Sequence, residues 1–135
     1  MTAANDVAAP PLSFLVVDDD EDIRDVLSQM VERLGHVVST ANDGLEALDA
    51  LRQQTFDVMI LDISMPRLSG LGVARWLNDN PEVAPDMWTI VLSAWAGETR
   101  GPLQEVGVDT VMQKPIRLQQ MRDLIAEGRR GRIHA

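Results

Sequence analysis

Apolar positions along the chain switch repeatedly between two periods. Phe14 to Val17 is a short unbroken run of strand formers, closed at once by the acidic string Asp18 to Asp22, as expected of a strand buried on both faces. Beyond it Ile23, Val26, Leu27, Met30, Val31 and Leu34 recur at helical spacing, with Asp20 set to cap the helix and Gly35 to end it. His36 to Thr40 reads as a second strand, Asn42-Asp43-Gly44 as a turn and cap, and Leu45, Leu48 and Leu51 as the inner face of a second helix. Phe56 to Leu61 predicts a third strand ending at Asp62, and a loop with Pro66 and Gly70 leads into a third helix carrying Val73 and Leu77. Trp88 to Leu92 predicts a fourth strand ending at Ser93, and Val108 to Met112 a fifth ending near Lys114. Between these two, Gly97, Gly101 and Pro102 leave only a turn or two of helix around Leu103 to Val106. A last helix is expected from Leu118 to about Glu127, with Leu118, Met121 and Leu124 or Ile125 facing inward.

This alternation implies an α/β fold, a doubly wound five-stranded parallel sheet with helices on both faces and right-handed crossovers. The Ala- and Pro-rich stretch 1–11 reads as a flexible leader, 12–127 as one domain, and 128–135 as a basic flexible tail. A length of 135 residues suits a single core, and 45% hydrophobic with 24% charged residues is the balance of a folded globular chain.

Composition narrows the chemistry. The sequence has no cysteine, which excludes disulfides, a thiol nucleophile and thiolate-held metal. Two histidines, His36 and His134, are too few for a His-rich metal site. Net charge is −9, and because three arginines lie in 128–135, residues 1–127 carry −12. No nucleic-acid partner is expected of so acidic a body. No apolar run approaches membrane-spanning length and no secretory signal opens the chain, so no membrane insertion and a cytoplasmic location are expected. Lys114 is the only lysine among twelve basic residues.

In open parallel sheets, ligands bind beyond the carboxyl ends of the strands, where strand order reverses. Asp18 and Asp19 end the first strand, Asp62 the third, Ser93 the fourth and Lys114 the fifth, so three carboxylates, a hydroxyl and an ammonium converge on one edge. Crowded carboxylates repel, and a hard divalent cation such as Mg²⁺ relieves the repulsion. A carboxylate can also attack phosphorus, with metal, hydroxyl and lysine stabilising charge on the transferred oxygens. Taken singly, each Asp could merely cap a helix, Ser93 form a turn and Lys114 sit in solvent; the convergence favours a site.

These residues resemble the receiver domain of two-component response regulators. The resemblance covers about residues 12–127 and rests on Phe14-Leu15-Val16-Val17-Asp18-Asp19, Asp62-Ile63-Ser64-Met65-Pro66 with Gly70, Ser93-Ala94 and Lys114-Pro115. It implies a sheet of order 2-1-3-4-5, and Asp62 as acceptor of phosphate from a phosphohistidine on a sensor histidine kinase or histidine phosphotransfer protein. It further implies Mg²⁺ held by Asp18, Asp19, Asp62 and the backbone carbonyl of Ser64, with Ser93 and Lys114 as catalytic partners of Asp62 that bind the phosphoryl oxygens. A cis Lys114-Pro115 bond and a downstream protein at the face of the fourth helix, fifth strand and fifth helix follow from the same likeness. Where the family often carries Tyr or Phe, three residues before the lysine, this chain has Val111.

Two rivals stand beside this reading. Asp18-Asp19-Asp20 also reads as the D-x-D of a haloacid-dehalogenase-like phosphatase with Asp18 as nucleophile, and a pseudo-receiver would bind partners without phosphorylation. Asp18, Asp20 and Asp22 imitate a calcium loop, but Ile23 and Gln29 stand where Gly and Glu are required. Gly70-Leu71-Gly72 fails as a dinucleotide loop, because Arg75 occupies the place of the third Gly. No output domain is read after Glu127, so a stand-alone receiver or a piece of a longer regulator or hybrid kinase is expected, with enzymatic activity limited to its own phosphorylation and dephosphorylation.

Overall fold

The computed structural model describes residues 10–64, 68–108 and 110–131. Ten elements alternate: β1 (Ser13–Val17), α1 (Glu21–Arg33), β2 (Val37–Ala41), α2 (Gly44–Gln53), β3 (Val58–Asp62), α3 (Gly70–Asp79), β4 (Trp88–Ser93), α4 (Ala96–Glu105), β5 (Thr110–Gln113) and α5 (Leu118–Gly131). All strand pairs are parallel, as the alternation of periods predicts, and the order is β2-β1-β3-β4-β5, as the resemblance implies.

Side-chain parity along the strands divides the core in two. Leu15, Met59, Leu61, Val91 and Val111 face the cluster completed by Leu48, Val73 and Leu103 of α2, α3 and α4. Phe14, Val16, Val58, Ile60, Ile90 and Leu92 face Leu27 and Val31 of α1 and Met121 and Ile125 of α5. β3, buried at every position, lies at the centre, which explains why its run lacks polar alternation. Helix starts are fixed as expected: Asp20 accepts from the amides of Asp22 and Ile23, and Asp43 from that of Glu46.

Four expectations are corrected. Val26 and Leu45 are exposed, because the inner stripe of α1 runs through Leu27 and Val31 and that of α2 through Ala47, Leu48 and Leu51. The last helix continues past Glu127 to Gly131, so the part of the basic segment up to 131 is helical rather than a tail. Gly128 is buried there, and a Cβ on it would overlap the Trp88 ring. Residues 1–9 and 132–135, most of the expected leader and the end of the tail, lie outside the described residues.

The fourth correction is α4, a ten-residue helix where two glycines and a proline predict only a turn or two. Pro102 removes one amide donor, and Gly97 and Gly101 face open space, so intrinsic stability is low. Tertiary contacts supply what propensity lacks. Ala96 and Leu103 are buried in the core, and the Arg100 guanidinium donates to the Val111 carbonyl at 3.1 Å.

Candidate functional site

β1, β3, β4 and β5 end together, and polar side chains stand at or one residue past their ends: Asp18 after β1, Asp62 and Ser93 closing β3 and β4, and Lys114 after β5. Asp18 and Asp62 are 1% and 3% exposed, and Ser93 is fully buried. Carboxylates so deep are unfavourable unless they are paired, bonded or bound to a cation. Asp19 is exposed beside them, and oxygens of Asp18, Asp19 and Asp62 all lie within 4.8 Å of one another. Lys114 reaches in from β5, its Nζ 2.7 Å from Asp62 Oδ1 and 3.7 Å from Asp18 Oδ2. The Lys114-Pro115 peptide bond is cis, as expected from the resemblance.

Charge is balanced unevenly. Burial is the largest influence on Lys114 and disfavours its charge, yet the hydrogen bond and negative charge of Asp62, with Asp18 behind, outweigh it and hold the ammonium above its ordinary pKa. For Asp18, burial raises the pKa; the amide of Asp20, bonded to Oδ1 at 2.9 Å, opposes that, and the charge of Asp62 adds to it. Asp18 Oδ2 is buried without a hydrogen bond. An orphaned carboxylate oxygen beside two further carboxylates fits a hard divalent cation that takes oxygen ligands.

The surrounding chain holds these groups in place. Gly70 opens α3 directly on the end of β3: its amide donates to the Ile63 carbonyl at 3.0 Å. A Cβ at Gly70 would stand 2.8 Å from Ile63 Cα and overlap the Asp62 carbonyl, so only glycine permits this approach. Ser64, two residues beyond Asp62, is exposed, whereas Met65 and Pro66 lie outside the described residues. The Lys114 amide donates to the Ser93 carbonyl at 2.9 Å, and Ser93 Oγ accepts from the Trp95 amide at 2.9 Å.

All of Asp18, Asp19, Asp62, Ser93 and Lys114 therefore meet at one edge. Asp20 does not join them, because its carboxylate caps α1; the D-x-D reading loses its second acid. Two neighbours escaped sequence reasoning. Arg24 donates to the Asp18 carbonyl at 2.8 Å, and only its position one turn past the cap Asp20 hints at this. Gln113 shares a strand face with Val111 and reaches the loop after β4, a parity signal visible just before Lys114.

Comparison with known proteins agrees with the geometry. Residues 14–126 match the response regulator receiver domain. A response regulator MprA of Mycobacterium sp. (strain KMS) is 33% identical over 111 residues, 82% of this chain and 47% of that protein. The probable transcriptional regulator ycf27 of Guillardia theta is 39% identical over 101 residues, 75% of this chain and 39% of its own length. The chain thus spans less than half the length of these curated relatives. Among solved structures, chemotaxis protein CheY4 of Vibrio cholerae superposes with a TM-score of 0.80 at 25% identity, covering 87% of this chain and 98% of that one. Response regulator TrrA of Thermotoga maritima, solved with Mg²⁺ and beryllofluoride, gives 0.75 at 30% identity, covering 86% and 97%.

Proposed function

The chain belongs to the response regulator receiver domain family, the phosphoacceptor domains of two-component systems, and from that premise we propose that Asp62 is its phosphoacceptor. Receiver domains take phosphate from histidine kinases or phosphotransfer proteins, and such a donor is proposed here. The observation that carries the assignment is the Lys114 ammonium 2.7 Å from Asp62 Oδ1, beside the orphaned Oδ2 of Asp18.

An Asp62 carboxylate oxygen attacks the phosphorus of a phosphohistidine; the new O–P bond forms as the P–N bond breaks, and the imidazole leaves with the N–P electron pair and takes up a proton. Asp18, Asp19, Asp62 and the Ser64 carbonyl would hold Mg²⁺, which supplies a Lewis acid for the phosphoryl oxygens. Lys114 neutralises one of those oxygens and orients Asp62, while the Ser93 hydroxyl donates to another. Water attacking the aspartyl phosphate releases inorganic phosphate and restores Asp62. The proposed partner surface is the face of α4, β5 and α5. No described helix is long and apolar enough to cross a membrane, and a cytoplasmic setting with no nucleic-acid partner fits the acidic body.

The test is intact-mass spectrometry after treatment with phosphoramidate, a small phosphoryl donor. One phosphate is expected with Mg²⁺, and none in chelator. Labelling unaffected by chelation would overturn the metal assignment.

A further inference from the structure

The loop from Ser93 to Ala96 leads from the site into α4, and its geometry is held by a residue outside the cluster. Gln113, the last residue of β5, is paired in register with Ser93 and points to the face on which Val111 and α4 pack. Its Nε2 donates to the Ala94 carbonyl, and its Oε1 accepts from the Ala96 amide at 3.1 Å. These partners fix the orientation of the amide, since the flipped form would set donor against donor and acceptor against acceptor.

The contact substitutes for something the helix lacks. Trp95, at the cap position of α4, makes no side-chain cap bond; its carbonyl accepts from the Glu98 amide at 3.0 Å, which leaves the Ala96 amide to find an acceptor outside the helix. Gln113 supplies one from the neighbouring strand. It also brackets Trp95, whose amide lies between the two bonds and donates to Ser93 Oγ at 2.9 Å. A hydroxyl has one proton and two lone pairs. With one lone pair engaged by Trp95, the Ser93 rotamer is set and its proton remains to donate. Ser93 is fully buried, so no water competes to orient it.

We infer that Gln113 is a positioning residue for phosphoryl transfer, acting through the Trp95 amide to aim the Ser93 hydroxyl and tying that hydroxyl to the placement of α4. The inference rests on Asp62 as phosphoacceptor with Ser93 as its hydroxyl donor. A glutamine suits the role because it donates and accepts at once. Glutamate keeps the bond to Ala96 but sets a carboxylate oxygen against the Ala94 carbonyl, and methionine keeps the length but neither bond.

The test compares phosphoramidate labelling rates of the wild type, Gln113→Met, Ser93→Ala and the double variant, together with hydrogen exchange at the Ala96 amide. Gln113 is exposed, so its replacement leaves the core intact. Gln113→Met should label roughly two- to tenfold more slowly, the effect of losing hydrogen bonds that orient one donor. In the Ser93→Ala background the same change should have no effect. The Ala96 amide should exchange faster in Gln113→Met, and Gln113→Glu should label at an intermediate rate. An equal loss in both backgrounds, an unchanged rate in Gln113→Met, or unchanged Ala96 exchange would overturn the inference alone. A wild type that takes no label would overturn the reading of Asp62, and this inference with it.

Discussion

Lys114 shows how much one side chain decides. Its ammonium is a compact charge within 2.7 Å of Asp62, held above its ordinary pKa by two acids despite burial. Lys114→Arg keeps the charge but replaces a point with a planar fork that a site this tight has no room to turn. We expect phosphoramidate labelling to slow by roughly tenfold, about 1.4 kcal/mol of transition-state stabilisation; a wild-type rate would show that charge alone suffices. His36 makes a different claim, at the far end of the strands. Its Nδ1 accepts from the Leu12 amide at 3.0 Å, and its ring lies 5.4 Å from that of Phe14. Burial lowers its pKa, the nearby Arg129 lowers it further, and Asp57 only partly opposes them. A folded pKa below the unfolded value means that the unfolded chain binds more protons. The contribution is therefore intact above about pH 6.5 and is lost as pH falls from there through the folded value. Denaturant titrations should show this slope in the wild type and a shallower one in His36→Gln, and parallel profiles would contradict it. The sequence alone carries the acids and the lysine as site residues, because each ends a strand. Gln113 and Arg24 are harder to read there, since they act through backbone groups that only the fold brings near.

Among the elements, β3 and α4 mark the two extremes of what the sequence reveals. β3 is apolar at four successive positions and ends in an acid, so burial and strand type follow from pattern alone. α4 contradicts its own composition, because its stability comes from Leu103 in the core, Arg100 on the Val111 carbonyl and Gln113 at its start, none of which is local. Leu45 fails for another reason: helical spacing names a stripe, and packing selects the register, here Ala47 and Leu48. If α4 is a weak helix held from outside, removing a weakness should be felt. A Cβ at Gly101 meets nothing within 4 Å, so Gly101→Ala should stabilise the protein by about 0.5 to 1 kcal/mol, seen as a rise of a few degrees in melting temperature. An unchanged or lower melting temperature would mean that α4 is limited by something other than backbone freedom.

At the scale of the whole molecule, the order β2-β1-β3-β4-β5 does the chemical work of assembly. Reversal of strand order beside β1 opens the crevice, and parallel strands deliver Asp18, Asp62, Ser93 and Lys114 to the same end although they are far apart in sequence. The parallel sheet and the converging edge are legible because strand ends can be counted from pattern, whereas the strand order follows from the family likeness; the exit of α5 past Glu127 is not legible, since nothing local shows that the Trp88 ring fills the space beside Gly128. The central claim is that this edge is a phosphorylation site with Asp62 as the acceptor. Borohydride reduces an aspartyl phosphate to homoserine, so peptide mapping after phosphoramidate labelling and reduction identifies the modified residue directly. Homoserine at position 62 alone, lost in Asp62→Asn, is the predicted result; homoserine at position 18, or label that persists in Asp62→Asn, would contradict it.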